Sequence, residues 1–287
     1  MRVINTISGG FEAICSSFRG DDIAYFFPIL QAPGCSGWTT VYNFSPNNWE
    51  GERQIARHLS AIWSDGASWR SKDIGSLSYG AVRRVAASDL QAVVPEGKQV
   101  FLALTDAILP ATTSTLVDVG MPFTSYPNWR ATLGLTSKVG TEVAYQGEIH
   151  PFPVPGSLLT FGHLQQFGAD VENYLLFVNI ERSPEVRSGK LQIRNSAEPE
   201  KLLREVDVQS NSISVASLDG LGFTESDLPL VLCNGMSAIP LYFSRTKDGS
   251  LLSLEHTHPP ASSVVYGKQL DAHKHLKKIW FSKAAAT

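Results

Sequence analysis

Two histidines one residue apart, in "LLSLEHTHPP" (251–260), have the spacing in this chain that points most directly to chemistry. On a β-strand, residues i and i+2 share a face, so His256 and His258 would converge on one ion while Glu255 and Thr257 point away. Imidazole nitrogen suits zinc, copper, iron or nickel, and a closed site takes about two further ligands. His273, in the pair His273 and His275 beside Asp271, and His163 in "FGHLQQ" are the candidates to supply them. If "DAHKH" is helical, His273 and His275 lie about 200° apart, and only one can join the site. On this reading the chain holds a divalent transition metal that polarises a substrate oxygen or activates a water. On the competing reading the pair ends an exposed strand, stopped by Pro259 and Pro260, and no cofactor is needed.

Tryptophan supplies the second candidate. Trp38, Trp49, Trp63 and Trp69 fall close together, and Trp49 sits in the turn-rich "SPNNWEGE". Loop tryptophans at one end of a β fold can offer a flat stacking surface to a sugar ring or an apolar anchor of a protein partner. Trp38 and Trp49 are the expected platform, with Asn48, Glu50 and Arg53 giving directional bonds. Trp63 and Trp69 flank "SDGAS" and are expected to face each other across a hairpin and fill the core. "SDGASW" resembles the Asp-box turn of sialidases but places aspartate and glycine side by side, so an ordinary Asp-Gly hairpin explains it.

Familiar catalytic signatures are missing from the sequence. There is no G-x-S-x-G elbow, no phosphate-cradling G-x-x-x-x-G-K-[ST] loop and no strand-glycine-helix dinucleotide motif. Three cysteines, Cys15, Cys35 and Cys233, are too few and too scattered for a disulfide framework or a zinc knuckle. A formal net charge of -3 gives no general attraction to nucleic acid or to acidic membranes, and neither is expected as a partner. No apolar run is long enough to cross a bilayer and no signal-peptide pattern opens the chain, so a soluble, cytoplasmic protein is expected.

The elements that must position these residues are strands. The 287 residues, 43% hydrophobic and 18% charged, can build a substantial core. Short runs rich in Val, Thr, Tyr and Phe ("WTTVYNF", "QVFLALT", "NYLLFVNI", "LPLVLCN") alternate with turn clusters such as "SDGAS" and "TKDGS". "SRTKDGSLLSLEH" reads as a hairpin closing on Asp248-Gly249, with His256 and His258 on its second strand. Three blocks also recur in order: "VYNF" with "FVNI", "RRVAASDL" with "ISVASLDG", and "QVFLAL" with "PLVLCN". Val85 answers Val215 and Val100 answers Leu230, a shift of 130 in both, whereas the first block is shifted by 136.

The pattern predicts an all-β chain, a tandem duplication of an antiparallel β-sandwich resembling immunoglobulin-like or jelly-roll modules. The expected divisions are 1–138 for the first repeat, 139–265 for the second and 266–287 for a short C-terminal helical tail. The tail's apolar stripe, Leu276, Ile279 and Trp280, is expected to dock on the sandwich or on a neighbouring subunit. The leading functional expectation is a non-catalytic binding or assembly module with a carbohydrate or protein partner. The alternative is a metal-binding protein or metal-dependent enzyme centred on His256 and His258. A third reading is a structural subunit of a larger assembly that buries the loop tryptophans between chains, and a homo-oligomer is among the possible partners.

Overall fold

The computed structural model describes residues 3–6, 11–14, 26–43, 54–116, 131–147, 149, 151–152, 154–162, 164, 170–224, 227–256, 265–266 and 278–285. Strands β1 (Val3–Thr6) and β2 (Phe11–Ile14) open the chain. The first repeat follows with β3 (Phe27–Pro28), β4 (Cys35–Tyr42), β5 (Arg57–Ser64), β6 (Trp69–Leu77) and β7 (Val82–Ala86). It continues through β8 (Phe101–Thr105), β9 (Thr112–Thr113), β10 (Ala131–Ser137) and β11 (Glu142–Gly147). The second repeat begins with β12 (Gly156–Phe161), β13 (Val171–Val178), β14 (Ser188–Asn195) and β15 (Glu198–Gln209). It is completed by β16 (Ile213–Ser217), β17 (Pro229–Gly235), β18 (Ile239–Thr246) and β19 (Leu252–His256). A short β20 (Val265–Tyr266) pairs back onto β2.

Each repeat is a two-sheet antiparallel sandwich, and the two share one topology. In the first, the sheet orders are β11-β10-β4-β7 and β3-β8-β5-β6-β9; in the second they are β19-β18-β13-β16 and β12-β17-β14-β15. Read strand for strand, β4 answers β13, β7 answers β16 and β8 answers β17. The three blocks matched in the sequence thus fall on equivalent strands. Pairing corrects one detail. Trp38 lies opposite Ala86 and Tyr174 opposite Ser217, so Ala86 answers Ser217 and the match of this strand moves by one residue. Burial agrees, because Val85 and Ala216 then both point inward. The strand β11 still pairs with β10, so sheet membership changes after Gly147, beyond the 138/139 division expected from the sequence.

Period-two alternation explains how the repeats are held together. On β13, Leu175 and Phe177 face the second sandwich's own core, while Leu176 and Val178 face the opposite way. Those outward residues, with Leu241 and Phe243 of β18, join one continuous apolar cluster with Leu30, Leu59, Phe101 and Leu133 of the first repeat. Both faces of β13 are therefore covered, which is why "NYLLFVNI" reads as an unbroken apolar run rather than an alternating one. Polar bonds cross the same junction. Trp69 Nε1 donates to the Arg182 carbonyl at 2.9 Å, the Leu116 amide reaches the same oxygen at 3.1 Å, and Ser64 Oγ donates to the Pro184 carbonyl.

The equivalent face of the first repeat has a different chemistry. Where the second carries Tyr174, Leu176 and Val178, the first carries Trp38, Thr40 and Tyr42; where the second has Leu241 and Phe243, the first has Thr132 and Gly134. The C-terminal helix (278–284) packs Trp280, Phe281 and Ala284 over Leu159, Leu230 and Leu232, on the outer side of the β12–β17 pair. Trp280 meets Phe161 edge-on at 5.3 Å. Of the expected stripe, Trp280 packs on the sandwich beside Phe281 and Ala284, whereas Leu276 lies outside the described residues.

Candidate functional site

Of the residues singled out in the sequence, Trp49, Asn48, Glu50, Arg53, His163, His258, Asp271, His273 and His275 lie outside the described residues. Trp38 does not sit at a loop tip. It lies within β4, only 7% exposed, with its indole flat on Gly134 and the Arg84 guanidinium 3.8 Å above the ring centre. Arg84 is in turn held by Glu142, which also accepts from Thr136 Oγ1 at 2.8 Å. With one face on backbone and the other under a cation, this indole has no free face to offer a ligand. Trp63 and Trp69 are not opposite each other either. Ser64 pairs with Trp69 and Trp63 with Arg70, so the two indoles point to opposite faces, and it is Trp69 that fills the junction between repeats.

His256 closes β19, as the Asp248-Gly249 hairpin predicts, and its ring stacks on Tyr145 of β11 at 5.6 Å. Among the described residues no group of three His, Cys, Asp or Glu side chains is arranged to hold a metal. The hairpin turn itself is tightly bonded. Thr246 Oγ1 and the Ser250 amide both donate to Asp248, which holds its carboxyl near 2, far below the usual carboxylate value. Asp65 does the same at the β5–β6 turn, where the Ser68 and Ala67 amides and Arg70 hold its pKa at about 2. These aspartates shape turns.

One concavity lies between the repeats. A cleft of about 460 Å³ has one wall from Gln31, Ser64 and Gly97–Gln99 of the first repeat, and the other from Val186, Asp207 and Gln209–Val215 of the second. A second hollow of about 470 Å³ adjoins it across Gln31, Gly97 and Lys98, with Leu90 and Val94 in its floor and Glu96 on its rim. The lining of the inter-repeat cleft is mainly amide and hydroxyl, with exposed apolar patches at Val186 (44%) and Val215 (37%).

Local structure makes the second-repeat wall stiff. Asn211, between β15 and β16, adopts φ +57, a left-handed conformation that asparagine tolerates better than most residues. Its Oδ1 accepts the Glu181 amide at 2.7 Å, its Nδ2 donates to the Ser183 carbonyl at 2.9 Å, and its own amide donates to Asn179 Oδ1 at 2.9 Å. Arg187 clamps the almost fully buried Glu181 from the other side at 2.6 Å and 2.9 Å. On the first-repeat wall, Gln99 is 8% exposed. Its Nε2 donates to the carbonyls of Ile29 and Val100, while its Oε1 has no hydrogen-bond partner among the described residues. A buried amide oxygen left unbonded costs about 1–3 kcal/mol.

Charge in the cleft is sparse. Asp207 is neutralised by Lys190 at 2.7 Å, whereas Lys98 is exposed and has no ion pair among the described residues. The sequence reading passed over Lys98, Gln99 and Val215 because no motif marks them. One signal was present: the matched blocks read "RRVAAS" in the first repeat and "ISVASL" in the second, so the charges on this strand are lost in one copy only. No helix among the described residues is long and apolar enough to span a membrane. No protein-family model, curated protein or solved structure matches the chain.

Proposed function

We propose that the chain is a non-catalytic binding or assembly module, and that the cleft between its repeats is the working surface. One observation carries the reading: a concavity at the junction of two duplicated sandwiches is lined mainly by amides and hydroxyls and holds the exposed Lys98, which has no ion pair among the described residues. Junctions between packed units are where ligand sites concentrate, because two walls can be shaped independently. Most hydroxyls and amides in this lining are already engaged in holding turns, so the cleft supports recognition by shape and a few directed bonds. A carbohydrate or an unfolded stretch of protein fits that chemistry.

Screening the intact chain against an oligosaccharide array and a displayed library of short random peptides tests the proposal. A ligand from either set should bind Lys98→Glu at least about tenfold more weakly, a loss of about 1.4 kcal/mol. Because Lys98 is exposed and has no ion pair among the described residues, that variant should keep the melting temperature of the parent. Equal binding to the variant, or no ligand from either set, would contradict the assignment.

A further inference from the structure

The cleft has an open strand edge in its second-repeat wall. Among the described residues, strand β16 is the last strand of its sheet, paired on one side only, with β13. The Leu218 amide bonds the Asn173 carbonyl at 2.8 Å and the Asn179 amide bonds the Ser212 carbonyl at 3.0 Å, which fixes the phase of the ladder. In an antiparallel pair, hydrogen-bonded positions alternate with non-bonded ones. Ser212, Ser214, Ala216 and Leu218 therefore bond towards β13, and the N–H and C=O of Ile213 and Val215 point away from it. At Ser217 the outward carbonyl is already taken by Arg204 at 2.7 Å. The free length of edge is thus Ile213 to Val215, and it lies along the cleft.

Comparison of the repeats shows that this edge carries charged residues in the first copy and none in the second. The matching strand of the first repeat, β7, is also an edge, but it carries Arg83 and Arg84. Arg83 folds back onto the Ile74 carbonyl at 2.7 Å, and Arg84, which occupies the place of Val215, lies over Trp38 and pairs with Glu142. Charged residues on an edge are a common guard against pairing with a foreign strand. In the second repeat the same positions are Ile213, Ser214, Val215, Ala216 and Ser217, with no charge at all.

We infer that an extended acidic segment of a polypeptide partner adds to β16 as a further strand within the cleft. This deepens the binding reading above and rests on it. The backbone of Ile213 and Val215 would supply the ladder bonds, Val186 and Val215 the apolar contact for alternate side chains, and Lys98 the counter-charge for an acidic residue. The site continues the junction between the repeats, because Ile213 already packs against the shared apolar cluster.

The test uses the full chain and a displayed library of short random peptides, counting enriched sequences against Val215 variants. Val215→Pro removes the outward N–H without removing a bond to β13, since proline is accommodated at such edge positions. Val215→Arg installs the residue found at this place in the first repeat, and covers the case in which the proline variant is poorly folded. Val215→Thr keeps the backbone and the branched shape. Enriched peptides should be acidic, should bind Val215→Thr as they bind the parent, and should lose at least about tenfold in affinity for Val215→Pro and Val215→Arg. Peptides that bind all three variants alike would overturn the strand, as would a library that yields none. In either of those cases, a sugar or peptide still weakened by Lys98→Glu would leave the cleft as a binding site of another kind.

Discussion

Replacing Phe243 by alanine tests whether the two sandwiches form one cooperative body. Phe243 is fully buried, stacks on Tyr174 at 6.1 Å and belongs to the apolar cluster that joins the repeats. Truncating a phenylalanine in such a place costs about 3–5 kcal/mol, the sum of lost transfer free energy and the cavity left behind. In a chain of this size each kcal/mol lowers the melting temperature by about 2–4 °C, so a fall of about 6–20 °C is expected. Because the residue belongs to both repeats at once, the unfolding endotherm should remain a single peak and move as a whole. Tryptophan fluorescence, which reports Trp69 and its bond to Arg182, should fall in the same step. Thr132→Ala is the comparison, since Thr132 holds the place of Leu241 on the equivalent face of the first repeat and gives up its bond to Tyr42. It should cost about 1 kcal/mol. If Phe243→Ala cost no more than that, or split the endotherm into two peaks, the shared core would be refuted.

Three other perturbations have definite expected outcomes. Gly134→Val should destabilise the chain by about 1–3 kcal/mol through overpacking. A Cβ at that position would stand 2.3 Å from two atoms of the Trp38 ring, so the indole must leave Arg84, and a shift in tryptophan emission should report it. Asn211→Ala should cost about 2–4 kcal/mol in denaturant unfolding, from lost bonds to Glu181 and Ser183 and from a left-handed alanine. Asn211→Gly should recover only the backbone share. The third concerns acid. Asp65 and Asp248 titrate near 2 when folded, below their unfolded value of about 4. Their contribution is complete above the unfolded value and disappears as pH falls through the folded one, so stability should drop between about pH 4 and pH 2. Asp65→Asn and Asp248→Asn should lose less over that interval, measured by thermal melts.

The sequence made the architecture readable because strands leave local traces. Asp248-Gly249 and Asp65-Gly66 each mark a hairpin through a glycine with positive φ and a bonded aspartate, and both turns are where they were expected. The duplication was readable from Asn43 and Asn179, which end equivalent strands with fully buried side chains. The division between repeats was less clear, because Lys138, Gly140 and Thr141 look like a linker but form the turn between β10 and β11. Pairing register was missed by one residue at β16, since low-identity blocks with small apolar residues slide easily against each other. The candidate site was hardly legible at all. Gln99, Lys98 and Val215 meet through a junction formed by residues far apart in sequence, and their types are unremarkable singly. Trp38 shows the opposite failure: its type suggested a ligand platform, and its cross-strand neighbour Gly134 gives the ring a bed instead.

The addition of a partner strand depends on the free edge of β16, and amide hydrogen exchange resolved residue by residue measures it directly. The Ile213 and Val215 amides should exchange quickly, while those of Ser214 and Ala216, bonded to β13, should be strongly protected. Uniform protection along 213–216 would mean that the edge is already occupied, and the account of the cleft as a place for a partner strand would be contradicted.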